Sequence, residues 1–366
     1  MVERLATSMS KYGIGVDVLC MDHLRIVNNT KQNYKFVTKL LFRYFSKHQS
    51  GYAFRIVRKF FSPMLLRSLI KQYDLIDFHV FALEYIPYMR FCVMKRIPFD
   101  ITLWGSDVVW ANENAVKRKR YGFEYCRYIK ATDNLLEVVN KTFPSLFASK
   151  FKSVCFGNSD FETIDLVSSL YKTDINKIRE EFIPEAKGKI IVTCGYNGSK
   201  RQNHFRILEA IGHLSPNTLE RIYLILPFTY GATEEYLLDV DKALKELEVS
   251  YTLYSNRLSI DDIAKIRLVS DVVVNMQDTD GFSGSLQDHL YCKNVLIVGE
   301  WLNYVLLDDA GVYYIRTSYD SLTENITKVL TGLTSYKQQC EDNYIKMMQL
   351  TSWKCVLPRW AESYKS

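Results

Sequence analysis

Short apolar runs alternate with helical patterns along the whole chain. The first series is "GVDVLCM" (15–21), "YDLIDFHVF" (73–81), "FDITLWGS" (99–106) and "KSVCFGN" (152–158). The second is "KIIVTCGYN" (189–197), "RIYLILPF" (221–228), "VSYTLYS" (249–255), "DVVVNM" (271–276), "VLIVGEW" (295–301) and "GVYYIR" (311–316). Most are continuous rather than alternating, which is how strands covered on both faces read. Taken in turn with helices, they predict an α/β fold with doubly wound parallel sheets.

Between the two series lies "SLYKTDINKIREEFIPEAKGK" (169–189), charged, polar and carrying Pro184. It reads as a joint. The pattern predicts a first Rossmann-like domain over 1–165, a linker over 166–186 and a second such domain over 187–337. A helical tail, 338–366, is expected to pack back on the body. The first domain opens on a helical pattern where a doubly wound domain opens on a strand, so its first strand is expected to be missing.

Composition narrows the class. The chain has 366 residues, enough for two domains, with 48% hydrophobic and 24% charged residues. Its eight cysteines are scattered with no C-x-x-C pair, which suits reduced thiols better than a zinc site or a disulfide scaffold. No apolar run approaches the roughly 20 residues that span a bilayer. The start, "MVERLATSMSKYGIGVDVLCM", has no apolar signal-peptide core. A cytoplasmic protein is expected. No acid or His cluster has metal-ligand spacing, so neither metal nor cofactor is expected.

The candidate chemistry gathers in "DTDGFSGSLQDHLYCKNVLIVGEW", Asp278 to Trp301. Its Gly/Ser loop follows the strand pattern "DVVVNM" and should open a helix at about Ser285. Ligands of doubly wound domains bind beyond the carboxyl ends of strands, where helix amino termini offer N–H groups to anions. Gly281 and Gly284 would let the backbone approach a ligand closely, and Ser283 and Ser285 could cap the helix or contact a phosphate. Asp280 precedes the turn, and Asp288 is placed on the helix's first turn. An ordinary capped turn with solvated acids would read the same way.

The stretch resembles the donor-site motif of GT-B glycosyltransferases, especially the large retaining family 4: an acid, Gly-Phe-Gly, and a second acid. Asp280 and Asp288 match the two acids in spacing, with Asp in place of the usual Glu in both. The resemblance implies that Asp280 contacts the donor sugar and Asp288 the ribose hydroxyls. "VTCGYNGSKRQNHFRILEAI" is similar to the opening of the second GT-B domain. It implies that Gly195, Asn197, Gly198, Lys200 and Arg201 hold the donor diphosphate, together with Gly281, Phe282, Ser283, Gly284 and Ser285. "YDLIDFHVF" and "PFDITLWGSDVV" resemble first-domain strands, which places Asp107 on the acceptor side as a catalytic candidate. "LPFTYGATEEYLLDV" also resembles the transferases of a dTDP-linked deoxyamino sugar in enterobacterial common antigen synthesis. The implied fold is GT-B, two Rossmann-like domains facing a cleft.

From Lys31 to Tyr73 the chain carries ten basic residues and no Asp or Glu. Lys35, Lys39, Arg43 and Lys47 recur every four positions, one stripe on a helix. Among Phe36, Leu40, Tyr44 and Phe45, that stripe suits an anionic membrane surface. Nucleic acid is not the expected partner, since the whole chain carries only +6. The expected protein is a hexosyl- or deoxyaminosugar-transferase on the inner face of a bacterial cytoplasmic membrane. It would use a nucleotide sugar and a saccharide or lipid-linked acceptor to build surface polysaccharide such as capsule or O-antigen. A GT-B-like nucleotide-sugar epimerase and a non-catalytic nucleotide-sugar-binding protein are the rivals.

Overall fold

All but the first of the apolar runs contribute strands to parallel sheets. The computed structural model describes residues 2–20, 25–27, 67, 70–105, 107–109 and 112–365, in two compact units. The basic stripe Lys35, Lys39, Arg43 and Lys47 lies outside the described residues.

Unit 1 comprises Met1–Gly157 and Val356–Ser366. Its first strands, β1 (Val18–Cys20) and β2 (Arg25–Val27), pair antiparallel with each other. The run at 15–21 was expected in a parallel sheet, so its partner is a correction. The parallel sheet runs β3 (Ile76–His79), β4 (Phe99–Thr102), β5 (Ile129–Ala131) and β6 (Phe151–Ser153), in that spatial order. β4 is buried at every position, and its Ile101 packs in one core with Phe81, Met89 and Phe123. The last helix, Trp353–Lys365, gives unit 1 the buried Trp360, whose Nε1–H donates to the Cys155 carbonyl at 2.8 Å.

Unit 2, Asn158–Cys355, holds the second series. Its strands are β7 (Ile190–Cys194), β8 (Ile222–Leu226), β9 (Ser250–Leu253), β10 (Val272–Asn275), β11 (Val295–Gly299) and β12 (Ile315–Thr317). All six are parallel, in the order β12-β11-β10-β7-β8-β9. Counted from β7 this is the doubly wound order 3-2-1-4-5-6, which reverses between β7 and β10. β8 and β11 are buried at every position, and separate apolar clusters cover the two faces of the sheet.

The expected linker, 166–186, is no joint. Helices Asp160–Leu170 and Ile175–Phe182 belong to unit 2, and Phe161, Ile164, Val167, Ile178 and Ile183 are core residues. The charges of this segment line the outer faces of helices whose apolar stripes are buried. Arg179 is tied to Asp271 at 2.7 Å. The chain therefore divides at Gly157/Asn158, and again at Cys355/Val356 within the last helix.

Candidate functional site

In open α/β sheets the crevice forms where the strand order reverses, beyond the carboxyl ends of the two central strands. Here those strands are β7 and β10, paired Val272 to Val192 and Val274 to Cys194. Both loops that the sequence singled out leave from these two ends.

The first loop turns at Gly195, whose φ of 67° suits glycine and whose N–H donates to the Val274 carbonyl at 2.9 Å. Asn197 is buried, and its Oδ1 accepts the Ser199 N–H at 2.9 Å. The N–H of Gly198 donates to the Tyr230 carbonyl, and a Cβ there would lie 2.5 Å from that of Ala232. Lys200 and Arg201 are both exposed, on a short 3-10 turn, Lys200–Gln202. Asn203 is left-handed at φ 56°, and its Nδ2 donates to the Met276 carbonyl and to Asp278 Oδ1, each at 2.8 Å. Together with the Asp278 N–H, which donates to the Arg201 carbonyl at 3.0 Å, this ties the first loop to the second. The helix His204–Gly212 follows.

The second loop contains Asp280, half-buried. Its Oδ1 accepts the Ser283 N–H at 3.0 Å, and its Oδ2 accepts the Ser283 hydroxyl at 3.2 Å and the Tyr304 hydroxyl at 2.8 Å. Burial pushes this carboxyl above the usual range, against the pull of those hydrogen bonds. The left-handed residue of the loop is Phe282 at φ 75°, not Gly281 or Gly284. The helix is Gly284–Tyr291, one residue earlier than expected, with Ser283 in the N-cap position and extended. Because the Ser283 hydroxyl is turned to Asp280, it does not cap the helix. The first-turn amides of the helix thus lack a side-chain cap, and a Cβ on Gly284 would meet nothing within 4 Å. Ser285 lies half-buried in the same turn. Nearby, the buried Thr279 Oγ1 and Gln287 Oε1 find no hydrogen-bond partner among the described residues. An uncapped helix start, open space and orphaned polar atoms make a corner suited to an anion with hydroxyls.

Asp288 departs from expectation. With the helix starting at Gly284, it stands in the second turn and is 1% exposed. Its Oδ1 accepts from Asn158 Nδ2 at 2.7 Å, and its Oδ2 lies 3.6 Å from Arg267 Nε. Arg267 also binds the His289 ring at 2.9 Å, so its charge is shared. Burial outweighs that charge and raises the Asp288 carboxyl to about 7. The carboxylate points into the body of unit 2.

No family model and no curated protein matches the chain. Solved structures do. Anabaena HepE, in complex with UDP-glucose, shares the fold with a TM-score of 0.64 at 14% identity, over 82% of each chain. The UDP-forming α,α-trehalose-phosphate synthase of Burkholderia xenovorans, with glucose-6-phosphate, gives 0.64 at 9% identity, over 83% of this chain and 77% of that one. A glycosyltransferase of Rickettsia africae gives 0.64 at 14% identity, over 82% of this chain and 79% of that one. The chain has the GT-B fold.

Within this GT-B chain, Asp107 lies in unit 1 and is 6% exposed. Its Oδ2 accepts the Phe81 N–H at 2.8 Å and its Oδ1 the Trp104 N–H at 3.0 Å. The Lys119 ammonium donates to its main-chain carbonyl. Asp107 thus ties together the loops that leave β3 and β4. Among the described residues no three His, Cys, Asp or Glu side chains are grouped to hold a metal ion, and no helix is long and apolar enough to cross a membrane.

Sequence reasoning missed Tyr196, Gln277, Asn203 and Tyr304. Gln277 Oε1 accepts from the Tyr196 hydroxyl at 2.8 Å and from Gln202 Nε2 at 3.0 Å. Tyr304 had a readable signal. It follows the run 295–301, so it sits in the crevice loop next to the Gly-rich one.

Proposed function

We propose that this protein is a glycosyltransferase that moves a sugar from a nucleoside-diphosphate donor, held at the β7/β10 crevice of unit 2, to a saccharide acceptor. The carrying observation is the uncapped start of the helix Gly284–Tyr291 at the strand-order reversal, beside the Asn197–Arg201 loop. Departure of the nucleotide leaves negative charge on its phosphate, and preorganised N–H groups with basic side chains stabilise such charge without reorganising. In this reading Lys200 and Arg201 supply the cations, Gly195, Gly198 and the 281–285 turn the close backbone, and Asp280 orients the sugar. No metal or cofactor is called on. Asp288 would reach a ribose only by leaving Asn158 and Arg267, so its part is to fix the helix from beneath. Asp107 would shape the acceptor side through the two loops it ties.

UDP-glucose in HepE supports a uridine donor and a hexosyl group. A lipid-linked acceptor and work at the inner membrane face in surface polysaccharide synthesis rest on the basic sequence stripe Lys35–Lys47. The nucleotide-sugar epimerase is the rival, since the same crevice would serve it. Incubation with UDP-[14C]glucose, GDP-[14C]mannose or dTDP-linked sugar and a bacterial lipid extract separates the two. Transfer predicts label in the lipid phase together with free nucleoside diphosphate. Label retained on the nucleotide in an epimerised sugar would favour the rival, and no consumption of any donor would sink both.

A further inference from the structure

We infer that Tyr304 is a positioning residue: its hydroxyl fixes the Asp280 carboxylate in the orientation that receives the donor sugar. The inference rests on the donor reading above and names a residue that neither the motif nor the fold assigns. Tyr304 is 2% exposed and lies in the loop between β11 and the helix Val305–Asp309. Its ring packs edge-on to Tyr314 at 6.0 Å and tilted to Phe282 at 6.5 Å. That packing leaves the phenol pointing at Asp280 Oδ2, 2.8 Å away.

Without it, Oδ2 would keep the longer bond from the Ser283 hydroxyl, a donor on the same short loop. Ser283 and Gln277, which also bonds the carboxyl, both belong to the loop that carries Asp280 and move with it. Tyr304 instead fixes it from a neighbouring crevice loop, and also braces Phe282, the left-handed residue two positions on. Burial and the adjacent carboxylate keep the phenol protonated, so it donates at any working pH. Among the described residues Tyr196, on the loop after β7, is a further titratable group facing Asp280, and Gln277 and Ser283 face it as neutral partners.

Tyr304→Phe removes one oxygen and keeps the ring. The test is calorimetry of the full chain, wild type and variant, with UDP, GDP and dTDP and with the glucose conjugate of each, from pH 5 to 8. The expected result is an unchanged affinity for the bare diphosphate and a roughly tenfold loss for its conjugate, the worth of one hydrogen bond to a charged group. Loss of the phenol donor also raises the Asp280 pKa, so the sugar-dependent affinity should fail at a higher pH in the variant. On an Asp280→Asn background the substitution should add nothing further. Equal loss for both ligands would make Tyr304 a mere strut of the loop, and no loss for either would make it inert; each overturns the inference. If the wild type binds no diphosphate, the donor reading itself falls and this inference with it.

Discussion

Lys130→Met should cost unit 1 about 3–5 kcal/mol at pH 7, because it strips the shared cation from two buried carboxylates. Lys130 is fully buried on β5, its ammonium 2.6 Å from Asp100 and 3.2 Å from Asp77. Arg127 clasps Asp100 with two bonds of 3.0 and 2.9 Å. Asp77 takes the Thr102 hydroxyl at 2.8 Å and the Tyr364 hydroxyl at 3.0 Å. The Lys130 ammonium also lies 3.8 Å from the centroid of the Tyr364 ring, so one side chain seals the last helix onto the sheet.

The pH dependence gives this prediction its signature. Burial raises the Asp77 carboxyl, but Lys130 and the other partners outweigh it and the net shift is downward. A lowered folded pKa stabilises above the ordinary aspartate range and loses that contribution as pH falls. Without Lys130 the burial penalty is opposed only by the smaller contributions of His79 and the hydroxyl partners, so the Asp77 carboxyl rises. The deficit of the variant should therefore be largest at pH 7 and shrink toward pH 4. Urea unfolding of the full chain, followed by tryptophan emission at both pH values, checks it. An equal deficit at both would mean that packing, not charge, is what Lys130 provides.

Asp288→Asn should act in the opposite direction. Its carboxyl is raised to about 7 when folded, from 3.8 in the unfolded chain. The folded state thus binds the proton more tightly, and its stability falls as pH rises from about 4 through 7. Asn mimics the neutral acid and keeps an oxygen for Asn158 Nδ2. At pH 8 the variant should be more stable than the wild type by about 2–4 kcal/mol, with the difference vanishing near pH 4. Thermal unfolding across that range measures it. A variant less stable at pH 8 would show that the Arg267 ion pair holds Asp288 charged after all.

These residues mark what the sequence could disclose. Nine of the ten apolar runs overlap strands of the two parallel sheets, because continuous apolar runs report two-sided burial directly. β5 leaves no apolar run in the sequence because it is three residues long with Lys130 at its centre, a cation whose burial depends on carboxylates from β3 and β4. The stretch 166–186 reads as a linker because local charge dominates its composition, whereas the apolar residues of the helices there meet partners far along the chain. In the crevice, the Gly-rich loop and the Asn197 loop, both singled out by motif, leave from the two strands that flank the strand-order reversal. Motif spacing could not tell which way a side chain turns. A start at Gly284 sends Asp288 inward, and the Tyr304 hydroxyl reaches Asp280 from a loop with no motif of its own.

The most direct test of the central claim is calorimetry of UDP, GDP, dTDP and CMP on the wild type and Gly284→Glu. The Gly284 Cβ position is open, its φ lies outside the left-handed range, and it begins a helix, where a negative charge is favourable by about 0.3–1 kcal/mol. The substitution should therefore leave the fold at least as stable while placing a carboxylate in the proposed diphosphate corner. One nucleoside diphosphate should bind the wild type, adding roughly 2.7 kcal/mol of stability at a hundred times its dissociation constant, and should not bind the variant. Equal binding to both proteins, or binding to neither, would contradict a nucleotide-sugar site at the β7/β10 crevice.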